Sequence, residues 1–329
     1  MSFFRNIVGM AAGAVIASAG FAAPTAAQAQ KVQVALGDTI SVETLAYLVA
    51  LERAKERGVD YNLTSFAKEE LAIQAVVNGQ ADLGIGTPYS VAQKSKAPLR
   101  GLFQVTRLVF FAVADKSYKT WKDLDGQTMT FHARGTGTEA IGNIIAEKNG
   151  IKFGQRNYVP GSENRVVAML NGQIKATIVD LPNKNLLLSK APDRFHVLPG
   201  IDEKASDEIL FTRTDWLEKN TEKADIIVEE FAKFWQEMAR NPSVVEEERA
   251  KRGLLKDLPK ELLSDVANYY KEAVENGVFD KAGGSPEAVK ADFTFYTQAG
   301  QMTGDPKDLK VEDFWNFGPL DRAHKKLGS

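Results

Sequence analysis

The chain has 329 residues, 44% of them hydrophobic and 26% charged, with a formal net charge of −2 and no cysteine. Such a balance suits a globular protein of one large or two medium domains, and it excludes a general nucleic-acid or membrane-surface binder, a disulfide scaffold and a lipoprotein anchored through an N-terminal cysteine. The 3 histidines are scattered, and no HExxH, G-x-S-x-G or GK[ST] motif occurs, so neither a metal site nor a catalytic apparatus is expected.

Residues 1–29 read as a secretory signal peptide. Arg5 supplies the positive start, residues 7–21 an Ala/Gly-rich apolar stretch, and Pro24 breaks any helix before the small-residue site Ala27-Gln28-Ala29. A membrane anchor would need an apolar run of ~20 residues, longer than this one. Cleavage before Gln30 would release a periplasmic protein.

From there strands and helices alternate. Residues 31–36 (KVQVAL) predict a strand, then a helix capped by Ser41 runs to Arg57 and ends at Gly58. Residues 61–64 predict a second strand, 65–78 a second helix and 81–85 a third strand. Residues 102–114 form a long run of strand formers, read as one strand crossing between lobes. The rhythm restarts with a strand at 128–132, a helix at 137–149, then strand, helix and strand at 157–159, 164–170 and 175–179. Residues 209–213 (ILFTR) are a second candidate crossing. Beyond Asp215 the chain is almost entirely helical, with breaks at Pro242, Gly253, Pro259, Gly277, Pro286 and Gly304-Asp305-Pro306.

Two stretches echo one another. Asn78-Gly79-Gln80-Ala81-Asp82-Leu83 and Asn171-Gly172-Gln173-Ile174-Lys175-Ala176 each end a helix and feed a strand. Two similar α/β halves joined by crossings make a two-lobed clamp; one continuous doubly wound sheet is the alternative.

In parallel sheets, ligands gather at the carboxyl ends of strands, beside helix N-termini. The loops selected by that rule contain Thr39 and Ser41, Phe66, Thr87 and Tyr89, then Arg134, Gly135, Thr136 and Gly137, and finally Asp180. Arg134 with the glycine amides suits an anionic head, Thr39 and Thr87 offer hydroxyls, and Phe66 or Tyr89 could cover an organic body. Gly135-Thr136-Gly137-Thr138-Glu139-Ala140, with Glu163 as the ribose acid, also fits the dinucleotide fingerprint of an oxidoreductase, a reading weakened by export and by the neighbouring Arg134.

The segments AIQAVVNGQADLGIGT, KTWKDLDGQTMTF, ARGTGTE, VPGSENRVVAMLNGQIKATIVDLP and VEDFWNFGPLDRAHKKLG resemble the periplasmic substrate-binding proteins of ABC importers, in the nitrate/sulfonate/taurine and thiamine-precursor group. The resemblance spans nearly the whole mature chain. It departs from the pattern at Ala54-Lys55-Glu56-Arg57-Gly58, where many members carry a Gly-Phe-Phe-like stretch.

The resemblance implies an α/β, two-lobed type II periplasmic-binding fold: two parallel-rich sheets flanked by helices and joined by two hinge crossings. Residues 30–106 and 209–329 would form lobe I and 107–208 lobe II, with Thr39, Thr87, Arg134, Gly135, Thr136 and Asp180 facing the cleft. It also implies a monomeric solute receptor without cofactor, whose partners are a small-molecule ligand and the importer's membrane permease; the Arg134 loop favours an anionic organic solute, while carboxylate, sulfonate, nitrate and small heterocycle all stay open. Alternatives are a receptor for a TRAP-type permease and an enzyme on the same scaffold.

Overall fold

In β1 (Val32–Leu36) all residues but Gln33 are buried, so the strand needs neighbours at both edges and cover on both faces. It pairs in parallel with β2 (Tyr61–Ser65) and β3 (Leu83–Gly86). Helix α1 (Leu45–Glu56) links β1 to β2, and α2 (Glu69–Val77) links β2 to β3. The computed structural model describes residues 31–200, 205–257 and 266–328; the expected leader and the break at Pro259 lie outside them. Among the described residues no helix is long and apolar enough to cross a membrane.

After α3 (Tyr89–Ser95), β4 (Leu99–Gln104) completes the first sheet, but not beside β3. The strand β10 (Ile209–Arg213), arriving much later in the chain, wedges antiparallel between them, giving the order β2-β1-β3-β10-β4.

The second sheet repeats this plan. β6 (Thr128–Phe131) pairs in parallel with β7 (Gln155–Tyr158) and β8 (Ala176–Asp180), through α4 (Gly137–Asn149) and α5 (Ser162–Leu170). β5 (Phe110–Asp115) wedges antiparallel between β8 and β9 (Phe195–Val197), and α6 (Leu181–Lys190) precedes β9. The order β7-β6-β8-β5-β9 is that of the first sheet, element for element. Gly79 and Gly172, the paired glycines of the sequence echo, both take φ +73°, the left-handed turn that releases each sheet's third strand from its helix.

The run at 102–114 is therefore not one strand. It is divided between β4 and β5 because each half finds partners in its own sheet, and residues 105–109 form the passage between them. That passage lies against the return passage. Val105 and Thr106 donate to the Glu208 carbonyl at 2.9 and 3.2 Å, Asp207 to that of Thr106 at 2.9 Å, and Leu108 to that of Ala205 at 2.8 Å.

Among the described residues the remaining α-helices are α7 (Thr214–Lys219), α8 (Thr221–Arg240), α9 (Val244–Arg252), α10 (Val266–Glu275), α11 (Pro286–Gln298), α12 (Val311–Phe314) and α13 (Gly318–Leu327). α8 lays Phe231 and Trp235 against Phe103, and the Trp235 indole N–H holds the Val105 carbonyl at 3.0 Å, pinning the first crossing to the core. The second is held from α11: Asp292, fully buried, accepts from the Ser206 amide at 2.6 Å and its hydroxyl at 2.7 Å.

Candidate functional site

The carboxyl ends of β1 and β8, the start of α2 and both crossings converge on a cavity of about 60 Å³. At ~10–15 Å³ per water it holds roughly four to six waters, the scale of a small solute. Asp38, Glu43, Tyr47 and Glu69 reach it from the first sheet's side, Arg107, Asp207 and Glu208 from the crossings, and His132, Thr136, Arg165 and Asp180 from the second sheet's side. Phe110, Pro182 and Tyr269 add apolar surface.

Hydrogen bonds join the two sides. Glu43 accepts from Asn183 Nδ2 at 3.3 Å, Ala299 O from Asn143 Nδ2 at 2.9 Å, Thr136 O from Gln301 Nε2 at 3.1 Å, and Glu272 from Asn185 Nδ2 at 2.8 Å.

Burial governs the titration of this lining. Desolvation, with the Asp38 charge beside it, pushes Glu69 up to about 7 although its carboxylate accepts the Thr87 amide. Asp180 is pushed up to about 6 by burial, against the Asn183 hydrogen bonds that make it the N-cap of α6. Asp207 and Glu208 are raised further, first by burial and then by neighbouring carboxylates. Burial lowers His132, whose Nε2 stands 3.9 Å from Asp38, and brings Arg165 down to about 10.

Of the residues expected at the site, Thr136 and Asp180 line the cavity. Thr39 is half-buried and does not line it; its hydroxyl donates to Glu163 Oε1 at 3.5 Å. Thr87 is buried, its hydroxyl donating to the Asp207 carbonyl at 2.9 Å, and so supports the crossing. Gly137 admits the crossings: a Cβ there would overlap Leu108 and crowd the Asp207 carboxyl.

Four expectations need correction. Arg134 is exposed, with its guanidinium 5.3 Å over the Tyr158 ring, and does not line the cavity. The anion-binding loop it was to complete already holds a carboxylate of its own: Glu139 accepts the Gly135 amide at 2.8 Å and the Tyr158 hydroxyl at 2.5 Å. Tyr89 is a core residue, donating to Asp292 at 2.6 Å and accepting the Trp315 indole N–H at 2.8 Å. Phe66 packs on the hydrophobic core. Ser41 does not cap α1; its hydroxyl accepts the Glu43 amide at 3.2 Å in the preceding turn, and the N-cap position belongs to Thr44.

Sequence reasoning missed Asp38, Glu69, His132, Arg165, Asp207 and Glu208. Asp38 and His132 adjoin selected loops, and Asp207-Glu208 stands directly before an apolar strand, a placement that does not by itself mark the pair as interior.

A two-lobed clamp of twin mixed sheets around a central cavity is the architecture of periplasmic binding proteins, and solved structures share it. A Bordetella bronchiseptica protein is 20% identical, with TM-score 0.73 over 91% of this chain and 98% of its own. The ligand-binding component of an ABC-type import system from Staphylococcus aureus, solved with zinc, is 15% identical, with TM-score 0.65 over 89% and 99%. A Candida albicans protein described as having the generic periplasmic binding protein fold is 13% identical, with TM-score 0.61 over 90% and 95%. The chain belongs to the NMT1/THI5-like family, whose model matches residues 43–244. Comparison with curated protein sequences gives no match.

Proposed function

We propose that the chain is the extracytoplasmic solute receptor of an ABC importer, exported by a leader cut before Gln30 and acting as a periplasmic monomer without cofactor or bond-making chemistry. The observation that carries this reading is the enclosure of the cavity. Its walls come from two twin sheets between which the chain passes twice, and hydrogen bonds such as Asn143 to Ala299 bridge them. Family membership, and likeness to the import component from Staphylococcus aureus, support it.

The moving bodies are residues 30–106 with 209–329, and residues 107–208, turning about the paired crossings. A solute that touches both walls favours the closed arrangement by its differential affinity, and the importer's permease then reads the closed shape. Thr136 and Asp180 are the contacts retained from the sequence reading. Small-angle scattering with and without saturating solute tests the clamp: contraction is expected, and an unchanged radius despite proven binding overturns it. Mass spectrometry of the exported protein tests the leader, since a mature chain that retains residues 1–29 contradicts the proposed processing.

A further inference from the structure

The charge that lines the cavity is one-sided. Six carboxylates face two guanidinium groups, and both guanidiniums also hydrogen-bond to groups of the protein. Arg165 gives Nε and Nη2 to the Ile178 carbonyl at 3.2 and 3.0 Å, Nη1 to that of Val159 at 2.8 Å, and Nη2 also to Ser162 Oγ at 3.0 Å. It braces β8 against α5 from within, four of its five N–H groups being engaged by the protein. Arg107 gives Nε to Gln104 at 3.2 Å and pairs through Nη2 with Asp280.

The acids are in the opposite condition. Glu208 shares the cavity wall with Tyr47, and its Oε2, shut off from solvent, meets no donor. Among the described residues, no hydrogen bond reaches the Asp207 carboxyl. A buried carboxylate oxygen without a donor is costly unless something else in the cavity supplies one. Around this acidic floor stand the rings of Tyr47, Phe110 and Tyr269, faces that attract a cation and exclude a strongly hydrated one. A bare metal ion fits less well, since among the described residues no three His, Cys, Asp or Glu side chains are grouped to hold one.

We propose that the solute is a small organic cation, an amine or guanidinium whose N–H groups or positive charge lie against Asp207 and Glu208 while its apolar part meets Tyr47, Phe110 and Tyr269. This rests on the receptor reading and replaces the anionic solute that Arg134 suggested. Because burial raises the acids, a cation entering the site must displace protons. Its affinity therefore rises with pH as Glu69, Asp180, Asp207 and Glu208 lose their protons, while Asp38, Glu43, Arg107, Arg165 and His132, whose pKa burial lowers, face the same cavity.

The test is calorimetry and scattering on the mature protein at about pH 8, where the acids are best ionised. The cationic probes are methylguanidine, ethanolamine, choline and putrescine; the comparison set is nitrate, methanesulfonate, acetate and zinc ion. Saturable binding of at least one organic cation is expected, weakened roughly ten- to a hundredfold in Asp207→Asn and further in Asp207→Asn with Glu208→Gln, the range for losing a charge-assisted hydrogen bond. Asparagine imitates the protonated acid, so circular dichroism should find these variants folded. Binding by cations that is unchanged in both variants overturns the proposal, as does binding confined to the anions or to zinc. If the anions bind and contract the envelope, the charge reading falls and the receptor stands. If neither set binds or contracts it, both fall.

Discussion

Glu69 ties the cleft's electrostatics to a measurable stability. It opens α2 at 5% exposure, wedged between Gly37 and Gly86, where a Cβ on either glycine would crowd its side chain. Burial chiefly, with the Asp38 charge adding to it, moves its pKa from 4.5 to about 7. A folded-state pKa raised above the unfolded value means that the native protein binds the proton more tightly. The contribution is fully present below pH 4.5 and is lost as pH rises through about 7. At 1.36 kcal/mol per unit the loss is about 3 kcal/mol, a sizeable share of an ordinary domain's stability. Glu69→Gln removes the titration while keeping an oxygen for the Thr87 amide. Urea unfolding of ligand-free wild type and variant, from about pH 4 to about pH 8, should then give profiles that diverge by ~3 kcal/mol in the variant's favour at the alkaline end. Parallel profiles, or a variant that loses ground as pH rises, would refute the assignment.

Arg134→Ala should leave solute affinity unchanged by calorimetry and cost under ~1 kcal/mol of stability, the scale of its contact over Tyr158; a tenfold loss of affinity would return Arg134 to the site. Asn143→Ala with Gln301→Ala removes two bonds between the walls and should weaken binding by roughly 1–3 kcal/mol in total, read by calorimetry, because the closed arrangement loses support. Gly84→Ala places a methyl group inside the Phe211 ring and should cost about 1–3 kcal/mol in thermal or urea unfolding, whereas a neutral result would mean that β3 and β10 can separate.

How far the sequence reveals this molecule depends on the range of the interactions involved. Strand–helix alternation and the NGQ echo are local, set by periodicity and by Gly79 and Gly172, and they anticipate the three parallel strands of each sheet. The insertion of β10 beside β3, and of β5 beside β8, depends on pairing between distant segments, which no local pattern encodes. The site divides the same way. Its loops are legible as strand ends, but the direction of each side chain is settled by remote partners. Tyr89 turns into the core because Asp292, 203 residues away, takes its hydroxyl proton. Arg134 stays outside because Glu139 and Tyr158 complete its loop. Acidic pairs are ordinarily solvated, so Asp207-Glu208 gains meaning only once the crossing is seen to run through the interior.

The same acids that would recognise a cation also bear on the clamp itself. Asp38, from the first sheet's side, raises the pKa values of Asp180 and Glu163 on the other side, so these groups repel one another across the cleft once ionised. Closing the empty cleft at alkaline pH confines that repulsion, with only Arg165 and Arg107 to offset it, while His132 remains neutral. In acid Asp180 and Glu163 hold protons, so that repulsion falls away and closure is easier. An energy difference of ~1.4 kcal/mol moves an open–closed ratio tenfold, and repulsion between buried carboxylates reaches that size easily. The radius of gyration of the ligand-free protein should therefore grow as pH rises from about 5 to about 8, and a cation should reverse the change by supplying the charge that the protons leave behind. Asp180→Asn should flatten the pH response. A radius that is constant with pH in the wild type, or that changes equally in the variant, would break the link between the cavity's charge and the motion of its walls.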